Sequence, residues 1–389
     1  MVSTGVGFKC PRCTGTVAVA ADRRRTWLLA VIAVTAGAVA IAIWGLPSPT
    51  GGGSGRQEAA GTAGGAAGGL AAEGAVRRVQ VRFRGAGGAP LAGTLDAPGR
   101  GARGRAAALV IPGFGPTNRD GVLAGPDLTD ALYRDLGDVL AREGRVVLRY
   151  DKRSASGRAG PDRPPIRFDH YVGDAVAALA FLRRRPEVDA ANVALIGHDE
   201  GGLVGMRVAA REPRVRSLVL VSTPGRPLAR VVAQEIRGVA FGGSDRRRAA
   251  LAREFAGAVR TLLETGRVPA VSSALRPVLP QSEPAYLRSL FSLDPTAEAG
   301  AVRAPVLIVR GSRDPGIRRE DVRALRRSLR ASRGATVLQV RGAGHTLRTF
   351  APSAAGHGHA GSRSPRRDFD ALRQIGGWIR AQATPEAGR

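Results

Sequence analysis

The stretch Asn192-Val193-Ala194-Leu195-Ile196-Gly197-His198-Asp199-Glu200-Gly201-Gly202 restricts the fold more than any other part of this chain. An apolar strand runs into a Gly-x-Asp-x-Gly-Gly turn, and a helical pattern from Leu203 to Arg211 follows at once. So tight a turn between strand and helix lifts its middle residue, Asp199, above a sheet. Gly197 and Gly201 let strand and helix approach closely, and Gly202 lets the helix pack on the sheet.

From Val76 onward, strand and helix patterns alternate. Short apolar runs at Val79–Phe83, Gly93–Asp96, Ala107–Ile111, Val146–Tyr150, Val193–Ile196, Leu218–Val221, Val306–Arg310 and Val337–Val340 predict eight strands. Amphipathic patterns predict helices at Leu128–Arg142, Tyr171–Arg184, Leu203–Arg211, Asp321–Leu329 and Phe369–Ala381. Beyond an N-terminal hairpin, this alternation implies an α/β fold with a mainly parallel sheet and helices on both faces. Between Pro224 and Gly300 the alternation stops and helical patterns take over, as in an insertion after the sixth strand.

Ligands of open α/β sheets bind beyond the carboxyl ends of the strands. Three strand ends carry a set of interest: Asp199, then Asp314 in Gly311-Ser312-Arg313-Asp314-Pro315, then His345 in Gly342-Ala343-Gly344-His345. A Gly-rich string, Pro112-Gly113-Phe114-Gly115-Pro116-Thr117-Asn118-Arg119-Asp120-Gly121, follows the third strand. Leu148-Arg149-Tyr150-Asp151-Lys152-Arg153 follows the fourth and Ser222-Thr223-Pro224-Gly225-Arg226-Pro227-Leu228 the sixth. In these strings and their order, Val79 to His345 resembles the α/β-hydrolase superfamily, especially bacterial serine esterases and serine aminopeptidase-like hydrolases. The resemblance implies an eight-stranded sheet, with residues 224–300 as a helical lid over the active site. It also implies the order nucleophile, acid, histidine for Asp199, Asp314 and His345. His345 is then the base, Asp314 orients its ring, and the backbone N–H groups of Phe114 and Glu200 form the oxyanion site. Arg119, Asp120 and Arg153 read as structural ion-pair partners beside the pocket.

Asp199 departs from that family pattern, which has serine there. A serine activated by histidine attacks an acyl carbon and leaves an acyl-enzyme. Aspartate, with an ordinary pKa near 3.9, is ionised without help but attacks acyl carbons poorly. Its natural reaction is displacement at an sp3 carbon, giving an alkyl ester that water then hydrolyses. Epoxide hydrolases and haloalkane dehalogenases of the superfamily work in this way. Dehalogenases typically add a Trp beside the nucleophile, where this chain has Glu200, and Trp378 lies far along. Epoxide hydrolases typically add two cap tyrosines, and the insertion offers Tyr286 alone. Three readings stay open: an esterase-like hydrolase working through Asp199, a non-catalytic binding or sensing protein, and an aspartate-nucleophile epoxide hydrolase or dehalogenase. The apolar side chains Leu228, Val231, Val232, Phe241, Phe255, Leu287, Leu290 and Phe291 of the insertion suit either an apolar substrate or packing between lid and sheet.

Ahead of the domain, Arg23-Arg24-Arg25 precede Trp27–Leu46, a run of twenty residues without a charge. At about 1.5 Å per residue that length matches a bilayer core, and Trp27 and Trp44 sit at its ends like interfacial aromatics. The basic residues on its N-terminal side predict a cytoplasmic segment at 1–26, a single transmembrane helix at 27–46 and an extracytoplasmic domain from 76 to 389. A cleaved signal peptide is the alternative. Residues 47–75, rich in Gly, Ala, Ser and Pro, read as a flexible linker.

The 59 basic residues against 32 acidic ones give a formal charge of +27, nearly all of it arginine, since Lys9 and Lys152 are the only lysines. With aromatics at 4%, this reads as a solvated arginine-rich surface rather than a nucleic-acid interface. Cys10 and Cys13 look like one knuckle of a zinc ribbon, but a four-ligand site needs a second pair and none exists, and His357 and His359 add too few ligands for a metal site. His198 reads as packing under the elbow, and His170 has no visible partner. No nucleotide motif appears, so no cofactor is implied, and the expected partner is a small molecule. Nothing in the sequence sets an oligomeric state.

Overall fold

A computed structural model describes residues 75–99, 103–122, 130–156, 165–238, 241–349 and 366–383. Eight strands form one sheet: β1 (Val76–Arg84), β2 (Pro90–Pro98), β3 (Arg105–Ile111), β4 (Val146–Tyr150), β5 (Val188–His198), β6 (Ser217–Val221), β7 (Val306–Gly311) and β8 (Ala335–Val340), in the order β1-β2-β4-β3-β5-β6-β7-β8. β1 and β2 make an antiparallel hairpin, β2 runs antiparallel to β4, and every later pairing is parallel.

The central strands read as continuous apolar runs because helices cover both faces. Side chains alternate between two cores, as strand geometry requires. Leu109, Ile111, Leu148, Leu195 and Leu218 face one core, with Val172, Leu179 and Leu203 from helices α2 (Phe168–Arg183) and α3 (Glu200–Arg211). Val110, Val147, Ile196, Val219 and Val309 face the other, with Leu136, Leu140, Leu372 and Ile375 from α1 (Leu132–Arg142) and α9 (Phe369–Ala381).

After β6 come four helices, α4 (Leu228–Arg237), α5 (Asp245–Thr265), α6 (Pro284–Phe291) and α7 (Pro295–Gly300), before β7 returns to the sheet. Phe255, Leu287 and Leu290 of this insertion are core residues shared with α2 and α3. α8 (Arg319–Ser328) lies between β7 and β8, and a short ribbon, β9 (Arg348–Thr349) with β10 (Arg366–Arg367), leads into α9.

Two expectations are corrected. The first helix begins at Leu132, and Asp130 and Ala131 are not helical. Tertiary contacts take that segment instead: Asp120 O accepts the Tyr133 N–H, and the Asp130 carboxylate pairs with Arg348 and Arg367. His170 does have a partner, since its Nδ1 accepts the Arg167 N–H at 3.1 Å and caps α2. Among the described residues no helix is long and apolar enough to cross a membrane. The apolar run 27–46, Cys10, Cys13, His357 and His359 lie outside the described residues, as does the linker up to residue 74.

Candidate active site

Asp199 sits between β5 and α3 with φ 53° and ψ −120°, a backbone conformation that few side chains adopt. Its N–H donates to Val221 O of β6 at 2.9 Å, which fixes the turn to the neighbouring strand. The close approach behind the turn explains Gly201: a Cβ there would lie 2.3 Å from the carbonyl oxygen of Ile111. A Cβ at Gly113 would lie 3.0 Å from His198 Nδ1 and 3.3 Å from the Cβ of Asp199, so the loop after β3 packs tightly against the elbow.

That loop is held by charge. Arg119 makes a fork to Asp151 at the end of β4, at 2.9 and 2.5 Å. The buried Arg149 reaches Asp96 at 2.6 Å, Asp120 at 2.5 Å and the Arg119 carbonyl at 2.7 Å. Arg153 pairs with Asp174 in the same region. With the loop so placed, the Phe114 N–H donates to Asp199 Oδ2 at 3.2 Å, and the Glu200 N–H also acts on that carboxylate. The two backbone donors that sequence reasoning named for an oxyanion therefore both face Asp199 itself.

His345 and Asp314 come together as the chain order implies. His345 Nδ1 lies 2.9 Å from Asp314 Oδ2, while Asp314 Oδ1 accepts the N–H groups of Gly316 and Ile317 at 3.0 Å each. The ring is therefore aimed with Nε2 away from Asp314, and that buried atom has no protein partner among the described residues. Ser222, at the end of β6, fixes the backbone by donating to the His345 carbonyl at 2.7 Å. Burial alone would lower the His345 imidazole, but the charge and hydrogen bond of Asp314, then Asp199 and Glu235, outweigh it and raise it to about 9. Burial raises the Asp199 carboxyl, against the pull of His345 and the two backbone donors.

Sequence reasoning missed the polar cluster behind Asp199. Glu200, 2% exposed, accepts Lys152 Nζ at 2.6 Å and the Tyr286 hydroxyl at 2.9 Å on the same Oε2. Lys152 also donates to Gly113 O at 2.9 Å and sits 4.2 Å over the Tyr171 ring. Two signals were available: Lys152 is one of two lysines in an arginine-rich chain, and it stands in the string after the fourth strand. His198 packs beneath the elbow. Its Nδ1 lies 3.0 Å from the Tyr133 hydroxyl, which in turn accepts the Gly113 N–H at 2.8 Å. Burial and the nearby His345 hold its imidazole well below the ordinary range, hence neutral.

Phe114, Asp199, Glu200 and Ile317 line a pocket with Leu228, Val231, Val232, Glu235, Val278 and Phe291 of the insertion. It encloses about 20 Å3, room for roughly one water. Of the apolar insertion residues that suit either a substrate or packing, Leu228, Val231, Val232 and Phe291 line this pocket, Phe291 also belonging to the core, whereas Phe255, Leu287 and Leu290 are core and Phe241 packs against it. Tyr286, the one insertion tyrosine, gives its hydroxyl to Glu200. Among the described residues no group of His, Cys, Asp and Glu could hold a metal ion.

Residues 94–352 match the sequence model of the α/β hydrolase family, which takes in β3 to β8, the elbow, Asp314 and His345. The chain belongs to the α/β hydrolase family. Within the family it is 24% identical over 221 residues to the esterase EstD of Thermotoga maritima, covering 55% of this chain and 48% of EstD. The chain thus spans about half the length of that relative. Among solved structures, the hypothetical protein PA2218 of Pseudomonas aeruginosa superposes with a TM-score of 0.50 at 17% identity, covering 81% of this chain and 95% of PA2218. The Pyrococcus furiosus esterase PF2001 does so with a TM-score of 0.50 at 16% identity, covering 70% and 84%. At these identities the structural likenesses speak for the α/β hydrolase fold alone.

Proposed function

We propose that this chain is a hydrolase in which Asp199 displaces an oxygen leaving group at an sp3 carbon, with an apolar epoxide as the substrate class. One observation carries the reading: the Phe114 N–H is given to Asp199 Oδ2. In acyl transfer that donor must serve the oxygen of the substrate's carbonyl group, and here a carboxylate oxygen already holds it. In displacement the same contact is an asset. Oδ1 attacks carbon, and Oδ2 becomes the carbonyl oxygen of the resulting ester, already in the position where negative charge develops when water attacks.

Charge and proton balance fit this sequence. In the first step Oδ1 bonds to carbon, the carbon–oxygen bond breaks toward oxygen, and that oxygen takes the proton of the His345 imidazolium. A group raised to about 9 carries that proton at neutral pH, which supplies the acid the insertion tyrosine does not. Once Asp199 is esterified its negative charge is gone, and His345 is neutral. It then takes a proton from water as the water oxygen attacks Asp199 Cγ. The tetrahedral carbon then expels the substrate alkoxide, which takes the proton of the newly formed carboxylic acid; the diol leaves, Asp199 is again a carboxylate, and His345 keeps the proton it took from water. The match to a relative named as an esterase supports hydrolysis of a carbon–oxygen bond; Asp199 changes which bond is attacked.

The apolar wall Leu228, Val231, Val232, Val278 and Phe291 supports reading the insertion as a lid over the site. The apolar run 27–46, with three arginines before it, supports a membrane-anchored hydrolase with its domain outside the cytoplasm.

Styrene oxide and p-nitrophenyl acetate, offered to native protein, Asp199→Asn and Asp199→Ser, test the mechanism. Native protein opens the epoxide and Asp199→Asn does not, while Asp199→Ser trades epoxide turnover for ester turnover. Equal epoxide rates in native and Asp199→Asn protein would rule the mechanism out.

A further inference from the structure

On the flank of the domain, away from the Asp199 pocket, α8 presents Arg319, Arg323 and Arg326 at helical spacing i, i+4 and i+7, so the three share one face. That face borders β8, the free edge strand of the sheet. Between them lies a groove of about 270 Å3 lined by Arg310, Arg319, Val322, Arg323, Arg326, Val337 and Gln339. Four guanidinium groups surround it and no carboxylate lines it.

Several partly buried arginines of the domain are neutralised, unlike the buried Arg310. Arg119, Arg149, Arg153, Arg207 and Arg226 each pair with an Asp or Glu. None of the four groove arginines has an acidic partner among the described residues. Arg310 is built in rather than draped over the surface: it is 7% exposed, and its Nε donates to the Ile317 carbonyl at 2.6 Å. Its Nη2 reaches the Ser312 carbonyl at 3.5 Å. These two carbonyls belong to the segment that carries Asp314, so one wall of the groove is tied to the loop that orients His345. A guanidinium carries five N–H donors in a fixed fork, and the two bonds above leave Arg310 with donors to spare. Arg319, Arg323 and Arg326 are exposed and add their donors to the same hollow. Val337, one of the two exposed large apolar side chains among the described residues, lines the same groove.

We propose that this groove binds a phosphate group, of a free phosphorylated small molecule or of a lipid headgroup. Arginine forks match phosphate oxygens two bonds at a time, and the concave wall lets several act on one group. The inference stands apart from the reaction proposed for Asp199.

The test is titration calorimetry of the full chain with inorganic pyrophosphate at constant ionic strength, set beside sedimentation with vesicles of pure phosphatidylcholine and of phosphatidylcholine with phosphatidylglycerol. The groove variant is Arg319→Ala/Arg323→Ala/Arg326→Ala. The control, Arg211→Ala/Arg214→Ala/Arg246→Ala, removes the same charge elsewhere from exposed positions. Saturable pyrophosphate binding at one site, weakened at least tenfold in the groove variant and less than twofold in the control, supports the site and assigns it to soluble phosphates. Extra sedimentation with phosphatidylglycerol vesicles, lost only in the groove variant, supports it and assigns it to headgroups. Binding that both variants lose equally would mean diffuse attraction to a basic surface and overturns the proposal, as does the absence of any groove-dependent binding in either assay.

Discussion

Tyr286 donates its hydroxyl to Glu200 Oε2 at 2.9 Å, linking α6 of the insertion to the first residue of the elbow helix. Glu200 also presents one of the backbone N–H groups that act on Asp199, so the position of the insertion and the geometry of the site share a residue. Burial raises the Glu200 carboxyl above its ordinary range, with Lys152 and Tyr286 opposing. Each of the two partners therefore bears on whether that carboxylate stays charged.

Removing the tyrosine hydroxyl should loosen the insertion without unfolding the sheet. Tyr286→Phe takes away one buried hydrogen bond to a charged group, a loss of about 2 kcal/mol. Amide exchange in 284–291 should quicken while β5 and β6 stay protected. Unchanged exchange in α6 would mean that packing alone holds the insertion.

Lys152 is the stronger test of the cluster. Lys152→Met leaves a buried carboxylate without its cation, a defect on the order of 3–5 kcal/mol. Because the lone Glu200 can escape by taking a proton, the defect should grow as pH rises. Adding Glu200→Gln should recover most of the lost denaturation midpoint, and failure to do so would show that Lys152 acts through Gly113 O rather than through Glu200.

His345 makes stability depend on pH in a defined direction. Its native value of about 9 lies above the ordinary 6.5, so between those pH values the native state holds a proton that the unfolded chain has released. The stabilisation is complete below about pH 6.5 and is lost as pH rises through about 9. Melting temperature measured from pH 6 to 10 should fall across that window in native protein. The fall should be shallower in His345→Gln, and equal slopes would exclude an imidazolium at rest.

Asp199 should be a liability to the fold. Its carboxyl is raised by burial even with His345 and two backbone donors beside it, so its ionised form is destabilised at neutral pH. Asp199→Asn keeps an oxygen for the Phe114 N–H and removes the charge. A gain of about 1 kcal/mol, on the order of 2 °C in Tm, is expected with activity lost. A lower Tm would show that the charge on Asp199 stabilises its surroundings.

What could be read from the residues alone follows from how local each interaction is. The strands Val146–Tyr150 and Val193–Ile196 are legible because both sheet faces are covered, so their side chains are apolar except for Arg149, whose charge Asp96 and Asp120 take up. Asp199, Asp314 and His345 are legible because each follows a strand end in a short string rich in glycine. The Glu200 cluster is not, since Lys152 stands 48 residues and Tyr286 86 residues away, and nothing in the string around Lys152 points to Glu200 as its partner. The turn of His345 from base at rest to imidazolium depends on three carboxylates, Asp314, Asp199 and Glu235, from separate elements. No spacing in the chain displays that sum. The start of α1 is hidden for the same reason: Asp130 fits a helix locally, but Arg348 and Arg367 claim its side chain.

The central claim is that Asp199 itself is alkylated and then hydrolysed at its own carbonyl carbon. Turnover of styrene oxide in H2(18)O, followed by mass spectrometry of the peptide bearing Asp199, tests this most directly. After several turnovers one heavy oxygen should appear in the Asp199 carboxylate, and after a single turnover the diol should carry only light oxygen. Diol that is labelled in the first turnover, with an unlabelled Asp199, would mean that water attacks the substrate directly and that Asp199 is not the nucleophile.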